Sequence, residues 1–146
     1  MGRSRDLLRA AFALALVTSA ASAAAPAPRV WIHHGGDGFH ADVVDTPRAR
    51  QKGLMGRTRL GDDEAMLFVF EDADRHCFWM KRTPIPLSVA FLADDGTIVG
   101  IADMEPDSET QHCAPRPVRL ALEVRAGGFA RKGMTPGTRL SGQPFR

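Results

Sequence analysis

Trp79, Lys81 and Thr83 fall at alternate positions leading into Thr83-Pro84-Ile85-Pro86. Alternate residues of an extended chain share a face, so these three predict one wall of a groove, with Phe78 and Met80 turned the other way. An aromatic surface with a few polar groups is the usual make-up of a small-ligand site. An indole there can stack a sugar ring or a peptide proline. The plainer alternative is that Phe78 and Met80 fill the core and Trp79 caps its edge. The two prolines remove backbone donors and fix φ, so residues 83–86 are expected to form a rigid extended corner. Glu123 interrupts an apolar strand pattern. A buried carboxylate needs a partner, which Lys81, Arg82 or Arg57 could supply as a structural ion pair. With a shifted pKa, Glu123 and Lys81 would instead be the acid/base pair of a hydrolase-like enzyme. The candidate ligand-binding residues are thus Arg57, Trp79, Lys81, Thr83 and Glu123, and the candidate catalytic residues are Glu123 and Lys81.

Other chemistry is sparse. Cys77 and Cys113 are the only two cysteines. An even count favours a disulfide in an oxidising compartment. Each follows a histidine, His76 and His112, and two Cys with two His is a zinc combination. Adjacent residues on a strand point to opposite faces, which argues against one ion taking both members of each pair. Asp103, Glu105, Asp107 and Glu109 alternate in a way that would suit calcium or a solvated loop, but the EF-hand glycine and terminal glutamate are missing. Met55, Met66, Met80, Met104 and Met134 with His33, His34 and His40 raise a soft-metal reading, although Met55, Met66 and Met80 lie in apolar runs, where methionine fills cores. Beyond residue 23 the serines are Ser88, Ser108 and Ser141, there is no Tyr, and no Gly-x-Ser-x-Gly occurs. No cofactor is expected.

The elements that must position these residues are short. Residues 29–34 and 39–45 read as strands around Gly35, Gly36 and Gly38. Thr46-Pro47 reads as a capped helix start running to Lys52, with Gly53 at its end. Residues 65–70, 77–80, 87–93 and 97–104 are strand-like, the last two joined by the hairpin signal Asp94-Asp95-Gly96. In residues 118–125, Val118, Leu120, Leu122 and Val124 alternate with Arg119, Ala121, Glu123 and Arg125. Residues 127–134 suit a helical turn and residues 138–141 a closing strand. Short strands with Gly/Pro turns predict a mainly β, single-domain antiparallel sandwich or barrel. The absence of βαβ alternation excludes a dinucleotide-binding fold.

The 146 residues carry 19 Lys plus Arg and 17 Asp plus Glu. With 44% hydrophobic and 25% charged residues, composition excludes a collagen, a disordered tail and a polytopic membrane protein. Arg3, Arg5 and Arg9, an apolar run over 7–20 and Ala21-Ser22-Ala23 read as a secretory signal cleaved before Ala24, or else as a retained anchor. Removal takes three Arg and Asp6, leaving 16 charges of each sign. Residues 24–38 then form a leader and first strand, and 39–146 the β-rich domain. A neutral exported chain predicts no nucleic-acid partner and no membrane span after cleavage. It predicts a monomer in the periplasm or outside the cell. The net charge is −5 over 62–75, −6 over 94–109 and +6 over 110–146, segments expected to neutralise one another across the fold.

Gly53-Leu54-Met55-Gly56-Arg57, Met66-Leu67-Phe68-Val69-Phe70 and Phe78-Trp79-Met80-Lys81-Arg82-Thr83-Pro84-Ile85-Pro86-Leu87 occur in order. Phe91, Asp95-Gly96, Ile98-Val99, Leu122-Glu123-Val124, Gly127 and Gly137 follow. In this order and spacing the chain resembles the domain of unknown function 192 family over about residues 42–140. The resemblance implies a compact, jelly-roll-like β fold, often exported, and no established activity. The chain departs from the family pattern at Arg82, where Asn is common, at Ser88 and Thr138, where Asp is usual, and at Ala65, where Gly is usual. Taken together, the sequence points to an exported domain that binds a small molecule, glycan or peptide at the Trp79 corner. The alternatives are the hydrolase-like enzyme and an interaction protein of the cell envelope bound through a sheet edge.

Overall fold

The computed structural model describes residues 25–145, so the expected signal segment lies outside the described residues. The strands are β1 (Arg29–His34), β2 (Asp37–Val44), β3 (Glu64–Asp74), β4 (Cys77–Phe78), β5 (Leu87–Leu92), β6 (Ile98–Met104), β7 (His112–Cys113) and β8 (Val118–Arg125). Two short helices, α1 (Pro47–Lys52) and α2 (Gly128–Arg131), complete the set. Six strands form one sheet in the order β1-β2-β3-β8-β5-β6, and β4 and β7 form a second, two-stranded sheet. The mainly β, sandwich-like fold predicted from strand spacing is what forms, without closing into a barrel.

Two details differ from the expected arrangement. The β2–β3 pair is parallel, with His40 opposite Glu64 and Val44 opposite Phe68. Parallel neighbours need a crossover of a dozen or more residues, and residues 45–63, including α1, supply it. One βαβ-like crossover therefore sits in an otherwise antiparallel sheet. Residues 138–141 add only isolated bridges, Ser141 to His33 and Arg139 to Thr97, instead of a closing strand. The hairpin between β5 and β6 forms at Asp94-Asp95-Gly96 as expected. There Gly96 has φ 86°, and a Cβ would lie 2.4 Å from the Leu140 carbonyl oxygen, so both conformation and space require glycine.

Strand β8 is the centre of the molecule. It pairs with β3 on one edge and β5 on the other, Glu123 lying opposite Met66 and Val89. Both faces of the sheet are covered. Leu120, Leu122 and Val124 pack with Ile32, Phe39, Leu67, Phe129, Met134 and Leu140. Ala121 on the other face belongs to a core with Leu54, Phe68, Phe78, Met80, Phe91 and Met104. Val118 joins this second core, beyond a register irregularity between Val69 and Asp74.

The oppositely charged segments meet across the fold. Arg119 pairs with Asp94 at 3.1 Å and Arg125 with Asp62 at 3.2 Å. Lys132 lies between Asp37 at 2.6 Å and Asp63 at 2.7 Å. Asp103 accepts a hydrogen bond from Ser88 at 2.5 Å, whereas Glu109 pairs with Lys81. Asp103 and Glu109 thus have separate local partners, and among the described residues no group of three or more His, Cys, Asp or Glu could hold a metal ion.

Cys77 and Cys113 face each other in the β4–β7 pair and are bonded. Bonded sulfurs offer no thiolates, and His76 instead stacks on Phe70 with centroids 3.6 Å apart. The zinc reading is thereby overturned. The disulfide closes a chain loop with a separation of 36 residues, which in the loop-entropy account contributes roughly 3–4 kcal/mol. Replacing both cysteines by serine is expected to lower the urea-unfolding free energy by about that amount with the far-ultraviolet dichroism unchanged.

Candidate functional site

The groove lies between α1 and the corner at residues 79–83. Helix α1 forms because Thr46 accepts a hydrogen bond from the Ala49 amide at 3.2 Å and Pro47 starts the first turn. Gly53, at φ 45°, ends it. None of its residues is buried and only Ala49 packs, partly buried, against the second core, so an apolar face contributes little to holding it. Arg50 anchors it instead, donating to the Asp45 carbonyl and, at 2.8 Å, to the Val69 carbonyl. The guanidinium carbon also sits 5.0 Å from the Phe70 ring centre.

The opposite wall is clamped through its backbone. Met80 donates to the Ser108 carbonyl at 2.8 Å, and Thr83 to the Met80 carbonyl at 3.0 Å. The Arg82 and Thr83 carbonyls accept from Gly56 at 2.8 Å and Asp107 at 3.0 Å. The predicted alternation holds from Phe78 to Lys81, with Phe78 and Met80 buried, Trp79 43% exposed and Lys81 exposed, but the turn over Lys81-Arg82 breaks it, so Thr83 does not share the exposed face. Thr83 is buried, and its hydroxyl donates to the Lys81 carbonyl at 3.3 Å.

Between these walls is a cavity of about 390 Å³. Phe68, Phe78, Met80 and Leu87 give it apolar surface, and Gln51, Trp79, Thr83 and Glu123 line it as well. It adjoins a second, outer depression of about 670 Å³ that shares Gln51, Lys52, Met55 and Trp79 and adds Arg48, Lys81 and Arg82.

Glu123 is only 4% exposed. The ion pair expected for it does not form. Arg57 pairs with Asp42 at 3.4 Å, Lys81 with Glu109 at 3.3 Å, and the Arg82 guanidinium lies 3.8 Å from Met55 Sδ. Desolvation alone pushes the Glu123 pKa from 4.5 up to about 8, so the side chain is a neutral carboxylic acid at neutral pH. Among the described residues, no buried side-chain oxygen is both sealed from solvent and unpartnered. The Glu123 carboxyl, which has no protein partner, therefore opens onto the cavity it lines.

Trp79, Thr83 and Glu123 thus come together around one cavity. Lys81 stands in the outer depression and turns towards Glu109, with its ammonium 5.1 Å from the Trp79 ring centre. Arg57 lines a separate depression with Val44 and Met66. Sequence reasoning missed Arg48, Gln51 and Lys52 as site residues. Their signal was a capped helix with no apolar stripe, whose side chains had no core to serve.

Two changes test this geometry. Because the folded-state pKa of Glu123 is raised, the native state holds its proton more tightly than the unfolded chain. Its stability contribution is complete below pH 4.5, declines as pH rises, and is fully lost above about 8, a span of up to about 5 kcal/mol. Glu123→Gln is expected to abolish this alkaline loss, seen as thermal midpoints that no longer fall between about pH 5 and about pH 9. Arg82 has φ 53°, a left-handed conformation that costs a long side chain roughly 1–2 kcal/mol and asparagine less. Arg82→Asn is expected to raise the unfolding free energy by about 0.5–1 kcal/mol in chemical denaturation.

Residues 30–142 match the family DUF192, described as "Uncharacterized ACR". No curated protein matches the chain. Among solved structures, a protein from Sinorhizobium meliloti 1021, named as a candidate transcription regulator, is similar at 36% identity and a TM-score of 0.73, covering 78% of this chain and 92% of its own. A protein of unknown function from Novosphingobium aromaticivorans DSM 12444 is similar at 34% identity and a TM-score of 0.72, covering 85% of this chain and 97% of its own. With the match spanning the whole sheet from β1 to the residues beyond α2, the chain belongs to the DUF192 family.

Proposed function

We propose that the chain is an exported binding domain that holds a small molecule or a short extended chain, glycan or peptide, in the groove between α1 and the Trp79 corner. One observation carries this reading: a buried, unpartnered Glu123 carboxyl opens onto a cavity walled by a half-exposed Trp79. A neutral carboxyl both donates and accepts hydrogen bonds, and a ligand hydroxyl or amide satisfies both functions. The indole supplies the stacking face. Export is supported by the signal-like first 23 residues and by the disulfide, which suits an oxidising compartment. Among the described residues no helix is long and apolar enough to cross a membrane.

A hydrolase reading would keep Glu123 as a general acid. It would need a second group in reach of the same ligand, and Lys81 lines the outer depression beside Glu109. Binding is therefore the better supported function. The regulator designation of the Sinorhizobium relative is not extended to this chain, whose residues 24–146 carry equal numbers of acidic and basic side chains.

Trp31 and Trp79 are the two tryptophans, so Trp31→Phe leaves Trp79 as the sole indole reporter. Titration with short envelope glycans and peptides is expected to shift Trp79 emission. By calorimetry, Trp79→Ala is expected to weaken the ligand so found by about tenfold, or ~1.4 kcal/mol. If no glycan or peptide perturbs Trp79 in the folded protein, the binding reading fails.

A further inference from the structure

Eight of the fifteen Lys and Arg among the described residues pair with a carboxylate, and of the seven that do not, Arg48, Arg50, Lys52 and Arg82 line the groove. Arg119, Arg125, Arg131, Lys132 and Arg139 each find a carboxylate within 4.0 Å. Around the outer depression stand Arg48, Lys52, Lys81 and Arg82, with no carboxylate among the lining residues. Arg48, Lys52 and Arg82 make no ion pair among the described residues. Lys81 has Glu109 at 3.3 Å, but both side chains are about half exposed or more, and such surface pairs hold weakly against a competing anion. Several cations from two separate elements, α1 and the 79–83 corner, thus converge beside one exposed indole. Like charges held together repel, and an anion placed among them removes that cost.

We propose that the groove binds an anionic saccharide, its carboxylate or phosphate held by Arg48, Lys52 and Arg82 and its ring stacked on Trp79. The inference rests on the binding function proposed above and names the ligand class for that site. Arginine's planar fork matches carboxylate and phosphate oxygens. The apolar face of a sugar ring suits the indole, and its hydroxyls suit the inner cavity, where Gln51, Thr83 and Glu123 stand beside Arg50, held by two backbone carbonyls, and Lys52, shared with the outer depression. Glu123 lacks a cationic partner and opens inward, so it offers hydrogen bonds to hydroxyls while the anion remains in the outer depression. An acidic peptide shares the charge but not the cyclic hydroxyls, and is treated as an outcome of the test.

The test uses the Trp31→Phe protein titrated with four probes: an oligogalacturonide, a sugar phosphate, the neutral galactose oligomer and an acidic peptide. The acidic sugar is expected to bind at least about tenfold more tightly than the neutral one at about 20 mM salt, with most of that difference lost at about 200 mM. Arg48→Ala combined with Arg82→Asn is expected to remove the preference while the dichroism stays that of the folded protein. Tighter binding of the oligogalacturonide than the sugar phosphate assigns a carboxylate, and the reverse a phosphate; either supports the inference. Equal, salt-independent binding of neutral and acidic sugars overturns the anionic assignment and leaves the binding function standing. Preferential binding of the acidic peptide overturns the saccharide assignment with the same consequence. Absence of any response at Trp79 overturns both.

Discussion

A polar side chain on a strand that is hydrogen-bonded along both edges and covered on both faces has almost nowhere to go. Strand β8 is such a strand, and Glu123 is such a side chain. Its neighbours in register, Met66 and Val89, are apolar. A charged carboxylate there without a partner would cost far more than the site can return. The carboxyl is instead protonated and placed where one opening remains, the cavity under α1 and the Trp79 corner. The rest of the groove follows from keeping that opening shaped.

Three devices shape it: cation contacts on α1, backbone hydrogen bonds that add to the burial of Phe78 and Met80 at the corner, and a disulfide. Helix α1 has no buried residue and is tied down by Arg50 on two carbonyls and the Phe70 ring. The corner is held by hydrogen bonds from the segments around Gly56, Asp107 and Ser108 and stiffened by Pro84 and Pro86. The disulfide fixes β4 against β7 beside the same cavity. Such walls are ordered before a ligand arrives, which lowers the entropy lost on binding. Their side chains remain free to face solvent, and Arg48, Lys52 and Arg82 stand there without an ion pair among the described residues.

Much of this was legible in the residues. Strand lengths, the hairpin at Asp94-Asp95-Gly96, the capped helix at Thr46-Pro47 and the inward turn of Phe78 and Met80 are local properties, set by turn chemistry and side-chain alternation. The parallel β2–β3 pair was not legible, because the crossover is mostly loop and its helix is only Pro47–Lys52. The ion pair expected for Glu123 failed for a related reason. Lys81, Arg82 and Arg57 are near in sequence to the site's other residues, but each guanidinium or ammonium is directed elsewhere by tertiary contacts with Glu109, Met55 and Asp42. Periodicity says which residues share a face; it does not say which long side chains meet. Gln51 and Lys52 escaped notice because exposed polar residues on a short helix carry no pattern of their own.

The most direct test of the account is an NMR pH titration of the Glu123 side-chain carboxyl, isotopically labelled and assigned by comparison with the Gln variant. A neutral carboxyl at pH 7 with its midpoint near 8 is predicted. A midpoint close to the ordinary 4.5 would mean that the group is charged and solvated or paired, and the buried acid on which the groove is built would not exist.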